Sequence, residues 1–203
     1  MKRLAIASAV IAMTLAAHVV AAQESPWELR VRAVNLSPAD HSDAVGGTGA
    51  KDRITVSSKL IPDIDISYFF SPNIAAELLL TYPQKHDVAL DGKNIGSFKH
   101  LPPTLLAQYH FLPDGQWRPY VGAGINYTNI SSVNLLGGTG SLEHKSWGPA
   151  LQAGFDVAID KHWAFNVDVK KIRIRSDVFA GGAKISAVRV DPLLFGVGVG
   201  YRF

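Results

Sequence analysis

Charged residues recur at every second position in several short stretches of this chain. Glu28, Arg30 and Arg32 alternate in WELRVRAV, Asp63 and Asp65 in DIDISYFF, and Asp168 and Lys170 in VDVKKI, while Glu77, Asp156 and Arg202 occupy similar alternating sites. A spacing of two puts them on one face of an extended strand. Acids and bases on one face can hold a metal, move a proton, or neutralise each other away from water. The seven histidines form no HExxH and no paired ligand spacing on one strand, and cysteine is absent. His86, His100 and His144 fall in long polar segments and read as loop or rim residues. Ser146 follows His144 without the third group that an activated nucleophile requires. The pieces VGGTG and LLGGTG lack the Lys-Ser/Thr of a phosphate loop and read as loop tips. The chain is therefore expected to be no enzyme and to carry no metal or cofactor. Mutual neutralisation is left, with Glu28, Arg30, Arg32, Asp63, Glu77, Asp156, Asp168 and Arg202 forming a charged interior plug.

The face opposite these charges is apolar. Trp27, Leu29, Val31 and Ala33 oppose Glu28, Arg30 and Arg32; Ile64, Ile66, Tyr68 and Phe70 oppose Asp63, Asp65 and Ser67. The same alternation runs through the segments around Leu78, Ala107, Ala123, Ala153 and Phe165, slipping near Lys171 in a way that suggests a bulge or a barrel rim. It ends in LLFGVGVGYRF, where Leu193, Phe195, Val197, Val199, Tyr201 and Phe203 face away from Gly196, Gly198 and Gly200. Eight such segments are joined alternately by tight turns (Ser71-Pro72-Asn73, Pro113 to Gln116, Asp160 to His162) and by longer polar segments (37–52, 84–100, 131–144, 176–183). This is the pattern of an all-β, eight-stranded antiparallel up-and-down transmembrane β-barrel. A soluble eight-stranded barrel alternates in the same way. Its interior, however, is only wide enough for side chains or one small ligand. The bulky apolar set is too large for that space, whereas glycines fit it, so the apolar face is expected to meet lipid.

Bulk properties agree with this assignment. Lys2 and Arg3 precede an uncharged apolar run that ends in Val20-Ala21-Ala22, which reads as a cleaved secretory signal peptide over residues 1–22, leaving a barrel domain over 23–203. Without Lys2 and Arg3 the 20 basic residues become 18, against 17 acidic ones. Such a balance offers no electrostatic case for nucleic acid. Beyond the signal there is no apolar run of about 18 residues to form a spanning helix, so a membrane protein of this sequence has to be a closed barrel.

The blocks HLPPTLLAQYHF (100–111), RPYVGAGINYT (118–128), SWGPALQAGFDVAID (146–160) and VRVDPLLFGVGVGYRF (188–203) resemble the OmpW family of bacterial outer-membrane proteins. The resemblance runs from about Leu29 to Phe203. It implies export through the periplasm to the outer membrane, contact with outer-membrane lipids and lipopolysaccharide, and a narrow lumen with an apolar upper part. It also implies that Tyr201 and Phe203 form a C-terminal insertion signal read by the barrel-insertion machinery. Members are thought to admit small hydrophobic solutes, which leave sideways through the wall into the bilayer. In that family a leucine and an aromatic residue narrow the base of the apolar pocket. The leucine corresponds to Leu79, and the aromatic position is occupied by Lys170, a departure from the family pattern.

Leu79, Leu106 and Leu194 are apolar residues on the otherwise polar inner face and, with Lys170, are the candidates for a pocket or constriction. Pro102 and Pro103 stand where a long segment enters a strand. Proline cannot donate to the ladder, so they are the candidates for a lateral opening. Two functions remain open at this point: passive uptake of small hydrophobic molecules, and a non-transporting surface barrel whose outer loops bind partners or support envelope stress tolerance.

Overall fold

A computed structural model describes residues 25–203, so the expected signal segment lies outside the described residues. Eight strands build the wall: β1 (Trp27–Ser37), β2 (Lys59–Ser71), β3 (Ile74–Leu80), β4 (Thr104–His110), β5 (Trp117–Leu135), β6 (Lys145–Ala158), β7 (Trp163–Ile172) and β8 (Leu193–Arg202). Each pairs antiparallel with its sequence neighbours, and β8 closes on β1 from Glu28↔Arg202 to Ser37↔Leu193. Closure removes the unpaired edges that no sheet can expose in a bilayer.

Burial follows the alternation residue by residue. Arg30, Arg32, Val34 and Leu36 are buried, while Val31 is 47% exposed, and in β6 Gln152 is buried beside Leu151 at 61% exposure. Aromatics gather at both ends of the outer apolar band. Trp27, Tyr68 and Phe70 meet edge to face at the short-turn end, as do Trp163, Tyr201 and Phe203, and Tyr127 packs on Trp147 at the other end. Amphipathic rings concentrate at membrane interfaces in this way.

Glycines on the inner face make room for their neighbours. A Cβ added at Gly198 of β8 would lie 2.0 Å from the Val31 carbonyl oxygen and 2.7 Å from the Arg32 Cα, so the closing seam requires a residue without a side chain. At Gly154 of β6 the same added atom would lie 2.6 Å from the Tyr120 ring.

The molecule departs from the sequence expectations at three places. The long connections are largely hydrogen-bonded hairpins that carry the barrel upward. Gln84–Leu90 pairs with Lys93–Leu101, and Arg175–Ala180 with Ala183–Arg189; Ile54–Val56 and Gly140–Leu142 add short strands beside them. Their polar outer residues concealed an apolar inner face. His86 and His100 are consequently buried on the inside of the first hairpin, whereas His144 is exposed. Finally, there is no slip at Lys171. Asp168, Lys170, Ile172 and Ile174 all point inward, and the apparent change of phase is the lumen lining turning from charged to apolar.

Candidate functional site

The lumen is built in two storeys. The lower one is a continuous network of buried charges. Arg30 of β1 donates to Glu77 Oε2 at 3.1 Å, to Asp156 Oδ2 at 2.9 Å and to Ser67 Oγ at 3.3 Å, and pairs with Glu28 at 2.6 Å. Arg32, one step higher, donates to Asn166 Oδ1 at 3.1 Å and lies against Asp63, Asp65 and Asp168. Glu77 of β3 is the hub. It accepts from Arg30, Gln108 and Gln152 and lies 3.7 Å from both Arg32 and Lys170. The Tyr120 hydroxyl donates to Asp168 at 3.1 Å, and the Asn166 amide links Tyr120 to Asp156. At the base, Arg202 lies over the Phe69 ring at 4.1 Å. Charges removed from water are tolerated only when paired and hydrogen-bonded, and alternation on neighbouring strands places each partner within reach.

Lys170 roofs this storey. Its ammonium turns down to Asp168 Oδ1 at 2.7 Å, so only the aliphatic stem is left toward the space above. Lys170 therefore adds its charge to this network.

The upper storey is apolar. Ile54, Val56, Val88, Ile95, Phe98, Ile130, Leu135, Leu142, Val178, Val188 and Val190 line a cavity enclosing about 30 Å³ of free volume, with Ser176 the only polar residue type among them. On this measure one water needs about 10–15 Å³, so the space is that of about two or three waters. Leu106 and Leu194 belong to the same apolar cluster, continuous through Leu36, Ala150 and Ile172. Leu79 is buried beneath it, registered between Asp65 and Thr104, at the boundary between storeys.

Between the storeys lies the histidine pair of the first hairpin. His86 and His100 stack with centroids 4.8 Å apart and planes 9° from parallel. Burial pushes both toward the neutral form, His100 down to about 3. An unfolded imidazole takes up a proton below about 6.5, whereas His100 in the folded hairpin does so only near 3. Its contribution is complete above the unfolded value and is lost progressively as pH falls toward 3. Acidification from pH 7 to pH 5 is therefore expected to ease opening of the hairpin by about 2 kcal/mol. Hydrogen exchange of the 84–101 amides, corrected for intrinsic rates, would show this as reduced protection, and unchanged protection would refute it.

The wall is interrupted beside this pair. The β2–β3 ladder stops at Ile64↔Leu80. Above it the segments are joined by side chains, the Thr81 hydroxyl donating to the Pro62 carbonyl at 3.1 Å and Lys59 Nζ to the Lys85 carbonyl at 2.9 Å, before backbone pairing resumes with Ser57 N donating to the Asp87 carbonyl. Pro62 and Pro83 supply no N–H in the interval. On the lipid side the interruption opens onto a depression lined by Pro62, Ile64, Leu80, Thr81 and Tyr82. At Pro102 and Pro103 the seam toward β5 is closed, because the Asn126 side-chain amide donates to both proline carbonyls at 3.2 Å and Tyr127 N donates to that of Pro103.

Among the charged residues singled out in the sequence, Glu28, Arg30, Arg32, Asp63, Glu77, Asp156, Asp168 and Lys170 converge in the lower lumen, and Arg202 stands at its mouth. Asp65, Tyr120, Gln108, Gln152 and Asn166 belong to the same network but were not included in the plug. Their signal was available: each stands an even number of residues from an assigned inward position on its strand.

The chain matches the OmpW family over residues 24–203. It is 43% identical to the uncharacterized outer-membrane protein y4mB of Sinorhizobium fredii, over 91% of this chain and 82% of that protein. It is 28% identical to the dibenzothiophene metabolism operon protein PahQ of Pseudomonas aeruginosa, over 90% of each chain. The crystal structure of the outer membrane protein OprG from Pseudomonas aeruginosa superposes with a TM-score of 0.76 at 28% identity, covering 89% of this chain and 97% of that one. Closed eight-stranded wall, outward apolar band and family match together identify the chain as a member of the OmpW family of outer-membrane β-barrels.

Proposed function

We propose that this barrel mediates passive uptake of small hydrophobic molecules, which enter the apolar chamber from outside and leave sideways into the bilayer. One observation carries the reading: an apolar chamber stands above a paired charge network, in a wall whose β2–β3 ladder stops at Ile64↔Leu80. Straight descent would require breaking buried ion pairs, whereas the β2–β3 interruption gives onto a lipid-facing depression lined by Ile64, Leu80 and Tyr82. Burial of apolar surface, at about 25 cal/mol per Å², draws a guest from water into the chamber and then into lipid. The operon name of the relative PahQ, which refers to a fused-ring aromatic compound, is in keeping with such cargo. Pro102 and Pro103 flank the same stretch of wall on its β4 side and are assigned to the frame of the exit. Tyr201 and Phe203 retain their proposed part in insertion, and residues 1–22 their part as an export signal.

The test is uptake of a labelled fused-ring hydrocarbon into vesicles with a lipopolysaccharide outer leaflet, with and without the protein. Leu79→Asp at the chamber floor and Val178→Asp in its wall are each expected to reduce protein-dependent uptake about tenfold or more, because a buried unpaired carboxylate repels an apolar guest. Heat-modifiable gel migration would verify that both variants fold. Uptake unaffected in both would remove the chamber from the route. Absence of uptake even in the parent chain would overturn the conduit and redirect attention to the outer hairpins. Planar bilayers should show no large, stable conductance, since the plug leaves no continuous water column.

A further inference from the structure

The wall segment bordering the interruption carries polar groups that a purely hydrocarbon cargo would not use. Gln84, His86 and His100 face the lumen, exposed by 0%, 0% and 1%. Gln84 and His100 stand directly opposite in register, and His86 is two residues along the same face.

Their hydrogen bonding is unbalanced in one direction. The Gln84 amide nitrogen donates to the Tyr82 carbonyl at 3.0 Å and to Thr81 Oγ1 at 3.4 Å, which orients the amide and leaves Oε1 without a protein partner. His86 Nδ1 lies 2.7 Å from the Ser57 carbonyl, and a carbonyl only accepts. The proton of the neutral ring is thus on Nδ1, and His86 Nε2 is a bare acceptor with no partner in the protein. His100 Nε2 also has none. The two rings stack on each other, His86 stacks on Phe98 at 5.9 Å and His100 meets Phe98 tilted at 6.0 Å, which holds them in place.

A shared metal ion does not fit. Metal–nitrogen bonds of about 2.0–2.1 Å lie in the imidazole plane, and rings 4.8 Å apart and nearly parallel cannot both direct such a bond at one ion. A neutral hydrogen-bond donor does fit. Building on the conduit reading, we propose that the favoured cargo is a small apolar body bearing a neutral hydroxyl, an alcohol or a phenol. Its single hydroxyl proton is shared between Gln84 Oε1 and His86 Nε2 in a three-centre bond, while its body lies against Val88, Phe98 and Ile130. A guest with the donor satisfies buried acceptors that a hydrocarbon of the same shape strips of any partner.

The experiment compares 2-naphthol with naphthalene in outer-membrane vesicles, subtracting the rates of matched vesicles that lack the protein. Protein-dependent entry of the naphthol is expected to exceed that of naphthalene about tenfold beyond their lipid permeability difference. Gln84→Met/His86→Phe/His100→Phe should abolish the preference while naphthalene still passes. Equal entry of both compounds in the parent chain, or a preference that survives the triple change, overturns the proposal and leaves the conduit standing. Failure of both compounds to enter the parent chain overturns the conduit itself and the proposal with it. Gln84→Met alone keeps the ring stack and provides the test should the triple variant not assemble: a preference as large as in the parent overturns the proposal. Independently, ¹⁵N resonances of His86 in the parent protein should shift at Nε2 with 2-naphthol and not with naphthalene, and no shift with the naphthol counts against the contact.

Discussion

Replacing Glu77 with leucine is expected to destabilise the folded barrel by about 3–5 kcal/mol, the cost of breaking a buried pair by removing one partner. Glu77 lies on β3 yet serves residues from four other strands: Arg30 and Arg32 of β1, Gln108 of β4, Gln152 of β6 and Lys170 of β7. Its loss leaves Arg30 and Lys170 short of countercharge inside the wall and deprives two side-chain amides of their acceptor. Urea unfolding in detergent micelles would measure the change. A second variant separates charge balance from packing. Glu77→Gln together with Lys170→Met removes one charge of each sign, so it should recover a substantial part of the loss relative to Glu77→Gln alone. If the double variant is no more stable than that single one, the two charges are not coupled and Lys170 is held by Asp168 alone.

Gly198→Val is expected to impair closure of the barrel, at about 3 kcal/mol or more. Ordinary overpacking costs about 1–3 kcal/mol because side chains can yield. Here the added Cβ meets the Val31 carbonyl oxygen at 2.0 Å and the Arg32 Cα at 2.7 Å, and both are backbone atoms of the strand that completes the ring. Gly200→Ala on the same strand is the control, since its nearest neighbour is the Arg30 side-chain Cγ at 3.3 Å, which can give way. Refolding yield in detergent, read from heat-modifiable gel migration, should fall sharply for Gly198→Val and little for Gly200→Ala. Equal yields would show that the β8–β1 seam has slack that its geometry does not suggest.

Much of this architecture was legible because a strand has a period of two. Once Val31 and Val199 were assigned to lipid, Arg30 and Gly200 had to face inward, and the eight segments and three tight turns followed from the same local rule. Two features misled it. The outer hairpins carry polar residues such as Lys85 and Lys99 on their solvent face, so 84–100 read as a loop although Val88 and Phe98 are buried behind them. The change of lining between Lys170 and Ile172 read as a break in phase because an inward residue was expected to stay polar along the whole strand.

Which residues face lipid, which face the lumen, and that the charges must pair inside could be read from the chain strand by strand, because side-chain alternation is a property of each strand alone. Which partners meet is set by the closed ring: Arg30 bonds Asp156, 126 residues away, and Glu77 gathers four strands. The ring also placed the interruption at Pro62 and Tyr82 and set His86 against His100 beside it. These depend on how far each strand is staggered against the next when the sheet closes, and stagger is a property of the whole ring that no single strand encodes.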